Sequence, residues 1–343
     1  MAAVDCLAQV IALEVPDQLP TLCHSERFDA AYCNLYYRTY CSDARALVDC
    51  LVHANERFGW DWVWVHLDDV LELEPFGVLT SEEEDDARRV VKPLALVPGV
   101  LSRLRPEQAL EAERLDVLLR ALTGLRATFG DTRVVCGRLS GPMTLVNLLF
   151  GPEATAAAVA DNAPVLRGAL DLAVEINIEL AEAQAAAGCH ALWIDDRMAC
   201  SDLLSPGTYE NLVLGPTERL LTAVRSLGVW SLLHTAENSL PALKVHAATG
   251  PDVLSVGSSL AMSAAHGALG KQVALMGNLD PIVLLTKAWP SQLAAYVDNL
   301  VRYMKQGGMA LATAGPIPRE ARGPNLHTMV DTARKIWEIV AGR

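Results

Sequence analysis

The chain has 343 residues, 51% hydrophobic and 20% charged, enough apolar material for one large core or two ordinary ones and too much for a disordered chain. Its formal net charge is −13, with 28 Lys and Arg against 41 Asp and Glu, which argues against a nucleic-acid surface. No apolar run reaches membrane-spanning length, and the N-terminus MAAVDCLAQV has no basic region ahead of its apolar residues; a soluble, cytoplasmic protein is expected, with no membrane partner.

In chain order, residues 1–50 show no clear strand–helix alternation and read as an N-terminal extension packed on the rest of the chain. Their Cys23, Cys33 and Cys41 match no zinc spacing, and the eight cysteines, without a CxxC pair, read as reduced thiols. From residue 51 to 343 short aliphatic runs alternate with helical patterns. The runs are WDWVWVHLDD (60–69), TRVVCGRLSG (132–141), CHALWIDDR (189–197), VWSLLHTAE (229–237), DVLSVGSS (252–259), QVALMGNLD (272–280) and GMALATAG (308–315). Each is bounded by Gly or polar residues, as buried strands are. Between them, Asp161 is expected to cap a helix that Gly188 ends, Ser205-Pro206 opens another that ends at Gly228, and 290–306 and 324–340 complete the set. Seven strands plus one not visible, with no GxGxxG after any of them, predict a single (β/α)8 barrel of TIM type in preference to a doubly wound sheet.

In such barrels catalytic groups sit where strands enter their helices. Those positions hold His66, Asp68, Asp69, Ser140, Asp195, Asp196, Arg197, His234, Glu237, Asn278, Asp280 and Thr313. With a period of two, one member of each Asp pair faces the barrel and its neighbour points outward. Asn278 and Asp280 in GNLDP equally suit a turn before Pro281. Trp62, Trp64, Tyr36 and Tyr37 are available to wall a compact pocket or to pack the core.

GNLDP (277–281), GPMTLVNLLFG (141–151), AEAQAAAGCHALWIDD (181–196), LLSPGTYENLVLGP (203–216) and the strand ending at His234 occur in an order that resembles the uroporphyrinogen decarboxylase superfamily, over about residues 45–340. That superfamily includes the decarboxylase of haem synthesis and zinc-dependent methyltransferases that serve corrinoid proteins and coenzyme M; the resemblance implies an eightfold barrel. LDDVL (67–71) matches the segment that carries the decarboxylases' catalytic aspartate, which places Asp69 in that role. Their Arg-Gln-Ala-Gly-Arg substrate segment has no counterpart in residues 15–45, their tyrosine falls on Leu148 and their late histidine on Ala314, so uroporphyrinogen is rejected as substrate. DDVLELEPFG (68–77) looks more like the methyltransferase branch. There His234 matches the metal-binding histidine, but Ala236 replaces the first cysteine and 308–316 has none.

Two enzymatic readings are open, with methyl or other one-carbon transfer placed first. In that reading His234 with Glu237 would hold a zinc ion, with Asp195, Asp196 or Cys200 as further donors, and a corrinoid protein or small thiol would be the partner. The alternative is a metal-free decarboxylase or C–C lyase acting on a small non-porphyrin substrate. Across both, Asp69, Asp196, Arg197 and His234 are the expected catalytic residues, and His66, Tyr37, Asn278 and Asp195 the substrate-binding ones. A non-catalytic binding barrel is the third reading, and a homodimer is compatible with all three.

Overall fold

The computed structural model describes residues 2–342. Eight strands form one parallel sheet: β1 Thr21–His24, β2 Trp62–Trp64, β3 Val134–Ser140, β4 Ala191–Asp195, β5 Trp230–His234, β6 Val253–Ser255, β7 Ala274–Leu279 and β8 Met309–Pro316. Hydrogen-bonded neighbours run β1-β8-β7-β6-β5-β4-β3-β2. Asp61 N donates to Thr21 O at 3.0 Å, Thr21 N to the Asp61 carboxylate at 2.8 Å and Trp62 Nε1 to Cys23 O at 2.7 Å, which brings the two ends of the sheet together. The fold is the expected TIM-type barrel, nearly closed.

All seven expected strands are present. The eighth, β1, lies inside the segment assigned to an N-terminal extension, so the barrel begins well before residue 51. Thr21-Leu22-Cys23-His24 is short and has a single aliphatic residue, and its β character comes from pairing with Leu311 and Ala312. The helix ended by Gly188 runs Pro164–Ala186, but Asp161 closes the preceding helix instead; Ala163 is the N-cap, with Pro164 next. Ser205 does cap its helix, accepting from Thr208 N, yet that segment breaks at Val213 into Pro206–Leu212 and Leu214–Ser226. Among the described residues no single helix is long and apolar enough to cross a membrane, and all eight cysteines are free thiols.

The barrel interior carries an unusual polar-aromatic layer. His24 lies edge-on to Trp62 and Trp64, with ring centres 4.8 and 4.9 Å away, and 4.1 Å from Trp193. Trp193 in turn stacks on His234 at 4.7 Å. Trp62, Trp64 and Trp193 are all buried. This layer is the floor beneath the strand C-termini, where the polar groups gather.

Candidate active site

Above the floor a cavity of about 560 Å³ opens among the ends of β1, β2 and β4 and the segment after β8. Its wall includes Glu26, Tyr37, Trp64, His66, Asp69 and Arg197, and Asp85 and Asp86 reach its rim from a hairpin loop between Leu79–Thr80 and Val90–Lys92. His66 Nε2 lies between Glu26 Oε2 at 3.1 Å and Asp69 Oδ1 at 3.4 Å. Arg138 Nη2 donates to Asp69 Oδ1 at 2.8 Å, and Arg197 Nη2 lies 3.5 Å from Asp69 Oδ2. Asp195 sits 3.7 Å from Arg138 and accepts from Arg197 Nε at 3.1 Å through both oxygens.

The electrostatics reflect burial and these contacts. Burial pushes the Glu26 carboxyl up, against the pull of His66. For Asp69 and Asp195 burial acts in the same direction but loses to the guanidiniums: Arg138 and Arg197, with His66, hold Asp69 well below the usual carboxylate range, and Arg197, His234 and Arg138 hold Asp195 down. The site thus pairs two firmly ionised carboxylates with one that keeps its proton more readily.

The expected residues divide. Asp69, Arg197, His66 and Asp195 converge as anticipated. Tyr37 also lines the cavity, its hydroxyl donating to Leu67 O. Asp68 turns to Arg114, which binds it with both terminal nitrogens. Asp196, expected among the catalytic groups, is fully buried behind β4; its Oδ1 accepts from Thr144 N at 2.7 Å and so caps the helix Pro142–Phe150. A Cβ at Gly141 would lie 2.2 Å from Asp196 Cβ, so glycine is required for this close approach. Asn278, expected to bind substrate, donates to Gly257 O and Leu260 O at 2.8 and 2.7 Å and ties down a loop instead. Asp280 accepts from Ile282 N and Val283 N, fixing the turn that GNLDP suggested.

His234 is buried in the floor, its Nδ1 2.7 Å from Ser255 Oγ. Burial pushes it down to about 4, Arg197 adds to the shift and Asp195 opposes it, so the imidazole is neutral near pH 7. Glu237, the other expected metal ligand, is held by its own surroundings. Glu237 accepts from Ser201 N at 2.8 Å, Ser201 Oγ at 2.7 Å and Ser239 N at 2.6 Å, which commits both of its oxygens to the loop. No three His, Cys, Asp or Glu among the described residues are grouped to hold a metal ion. This donor set does not fit zinc.

Sequence reasoning missed Glu26, His24, Arg138 and Glu72. His24 belongs to the strand that went unseen and Glu26 opens the helix Glu26–Tyr32 that follows it. Arg138 had a signal, an arginine inside the buried run VVCGRLS; Gln184 fixes it by accepting from Arg138 N at 3.0 Å and donating to Arg138 O at 2.9 Å. Glu72, buried after β2, accepts from Ser140 Oγ and lies 3.5 Å from Arg138 Nη1.

A family model described as uroporphyrinogen decarboxylase (URO-D) matches residues 4–336. The chain belongs to that family. The match starts well ahead of residue 45, in keeping with β1 as a barrel strand. Within the family the chain is 23% identical over 325 residues to the methylcobamide:CoM methyltransferase MtbA of Methanosarcina mazei, covering 93% of each. It is 28% identical over 286 residues to the uroporphyrinogen decarboxylase of Nocardia farcinica, covering 81% of this chain and 77% of that one. A solved structure of a methyltransferase from Methanosarcina mazei superposes with a TM-score of 0.89 at 19% identity, over 98% of this chain and 99% of that one, a likeness of fold.

Proposed function

We propose that this URO-D family protein transfers a methyl group between a small organic molecule and an acceptor, a corrinoid protein or small thiol, using the cavity at the barrel mouth. The observation that carries the reading is the convergence of Glu26, His66, Asp69 and Arg197 on that one cavity. Similarity to a methylcobamide:CoM methyltransferase along nearly the whole of both chains supports transfer as the class.

In such a transfer the acceptor's electron pair forms the new bond to the methyl carbon, while the old bond's pair stays on the leaving atom. The protein's task is to align the two, exclude water and manage one proton. His66 is placed to take a proton from an acceptor thiol or to hand one to the leaving atom. Its Nε2 lies 3.4 Å from the ionised Asp69 and 3.1 Å from Glu26, which keeps its proton more readily. His234 serves the floor rather than a metal.

The test is methylcobalamin demethylation with a panel of small thiols, followed by its visible spectrum, together with zinc analysis of wild type and His234→Ala. Demethylation that His66→Gln suppresses is expected. About one zinc per chain, lost in His234→Ala, would overturn the metal-free assignment. A second reading, decarboxylation of a small acid, draws on Arg197, whose side chain is 42% exposed and able to meet a substrate carboxylate; CO2 release from such acids would favour it.

A further inference from the structure

We infer that the cavity takes a small organic cation, a molecule with a fixed positive charge such as a trimethylammonium group. This deepens the proposed methyl transfer and rests on its placing the substrate here. Six carboxylates line the cavity against three guanidiniums. Each guanidinium is already matched: Arg27 to Asp86 at 3.1 Å, Arg319 to Asp85 at 2.6 Å, and Arg197 to Asp195 and Asp69. An incoming anion would meet guanidiniums whose charge is already balanced, and the carboxylates around it would repel it; a cation meets no such opposition.

Glu26 gives the charge excess a place. Of the two buried carboxylates in the wall, Asp68 is clasped by Arg114, whereas Glu26 meets no guanidinium among the described residues. Its Oε2 accepts no well-aligned hydrogen bond, and its one ion-pair neighbour is His66 Nε2 at 3.1 Å. Burial favours the protonated form of Glu26, and a guest cation beside it would favour the ionised one, whose attraction in this buried setting exceeds that of an exposed carboxylate. Trp64 and Tyr37 belong to the same wall, and Trp64 stacks on His66 with ring centres 5.1 Å apart. Aromatic faces attract diffuse cations. The scattered carboxylates do not converge as three ligands on one point, which suits a bulky organic cation better than a metal ion. The net charge of −13 would draw cations toward the protein in the same sense.

The experiment is calorimetric titration of the whole protein with three molecules of nearly one shape: choline, the neutral 3,3-dimethyl-1-butanol and the anionic 3,3-dimethylbutanoate. Choline is expected to bind about tenfold or more tightly than the neutral isostere, with the anion weakest; Glu26→Gln should reduce the choline preference to roughly threefold or less. Equal or tighter binding of the neutral or anionic compound to wild type, or no choline binding at millimolar concentration, would overturn the inference without recourse to any variant. A choline preference in a protein that fails to transfer methyl groups keeps this inference and removes the proposed transfer. Methyl transfer from neutral donors without a choline preference does the opposite.

Discussion

At Asp69 one carboxylate, with a side chain still 37% exposed, meets Arg138, Arg197 and His66, while its neighbour Asp68 is buried against Arg114. The two residues alternate across the chain direction, so one faces chemistry and the other faces structure. Asp69→Asn keeps the shape and removes the negative charge that His66, Arg138 and Arg197 all contact. We expect kcat/KM for methyl transfer to fall by about 10²–10⁴, the usual contribution of acid–base assistance, with a stability loss of only about 1 kcal/mol. Asp68→Asn should do the reverse: a cost of about 3 kcal/mol from a buried guanidinium left half-paired, and a smaller kinetic effect. Urea midpoints and kcat/KM on both variants check the pair of expectations; a larger kinetic loss in Asp68→Asn would sink the proton-handling role of Asp69. The split between neighbouring aspartates is legible in the sequence itself. Which member of Asp195 and Asp196 faces inward is less so, because that depends on strand register, and Asp196 therefore stands among the expected catalytic groups although it caps a helix.

The helix Pro142–Phe150 is held at its start by a carboxylate from another element. Burial is the main cause that pushes Asp196 up to about 7, partly offset by its bonds to Thr144 and reinforced by Asp195. Its carboxyl is therefore protonated more readily when folded than when unfolded. Below about pH 4 both states hold the proton; as pH rises toward 7 the unfolded chain releases it while the folded chain keeps it, so stability falls across that window by up to roughly 4 kcal/mol. Asp196→Asn can still accept from Thr144 N and has no proton to lose. The variant should gain stability relative to wild type between pH 5 and pH 8, read as diverging urea midpoints. Parallel midpoints would show that Asp196 titrates normally. Elements of this kind are partly visible in the sequence: the aliphatic runs mark seven strands, and Gly188 and Gly228, both with positive φ, mark two helix ends. A cap supplied across space by Asp196 leaves no local pattern, and Asp161 occupies a position where a local cap is plausible.

At the scale of the whole barrel, closure depends on a strand that the sequence conceals. TLCH has four residues, no aliphatic run and no alternation, yet all four are buried and the strand pairs with β8. Its β character is imposed by neighbours already in place, so a reading from propensity and periodicity finds nothing there. The segment 1–50 therefore does more than cover the barrel. It supplies β1, places His24 in the floor against Trp62, Trp64 and Trp193, and carries Glu26 and Tyr37 to the cavity. Removing residues 2–50 would leave β8 and β2 with unpaired edges and open a gap beside three tryptophans. Unpaired edges invite aggregation, and the lost burial exceeds what a marginally stable domain can spare. We expect the fragment 51–343 to lack a cooperative thermal transition and to bind a hydrophobic dye such as ANS, with its near-UV tryptophan signal largely lost. If that fragment instead melted cooperatively with native near-UV dichroism, β1 would be a dispensable cover and the barrel would close without it. The same fragment would also lack Glu26, so a folded version of it would give a second measure of the cavity's preference for cations.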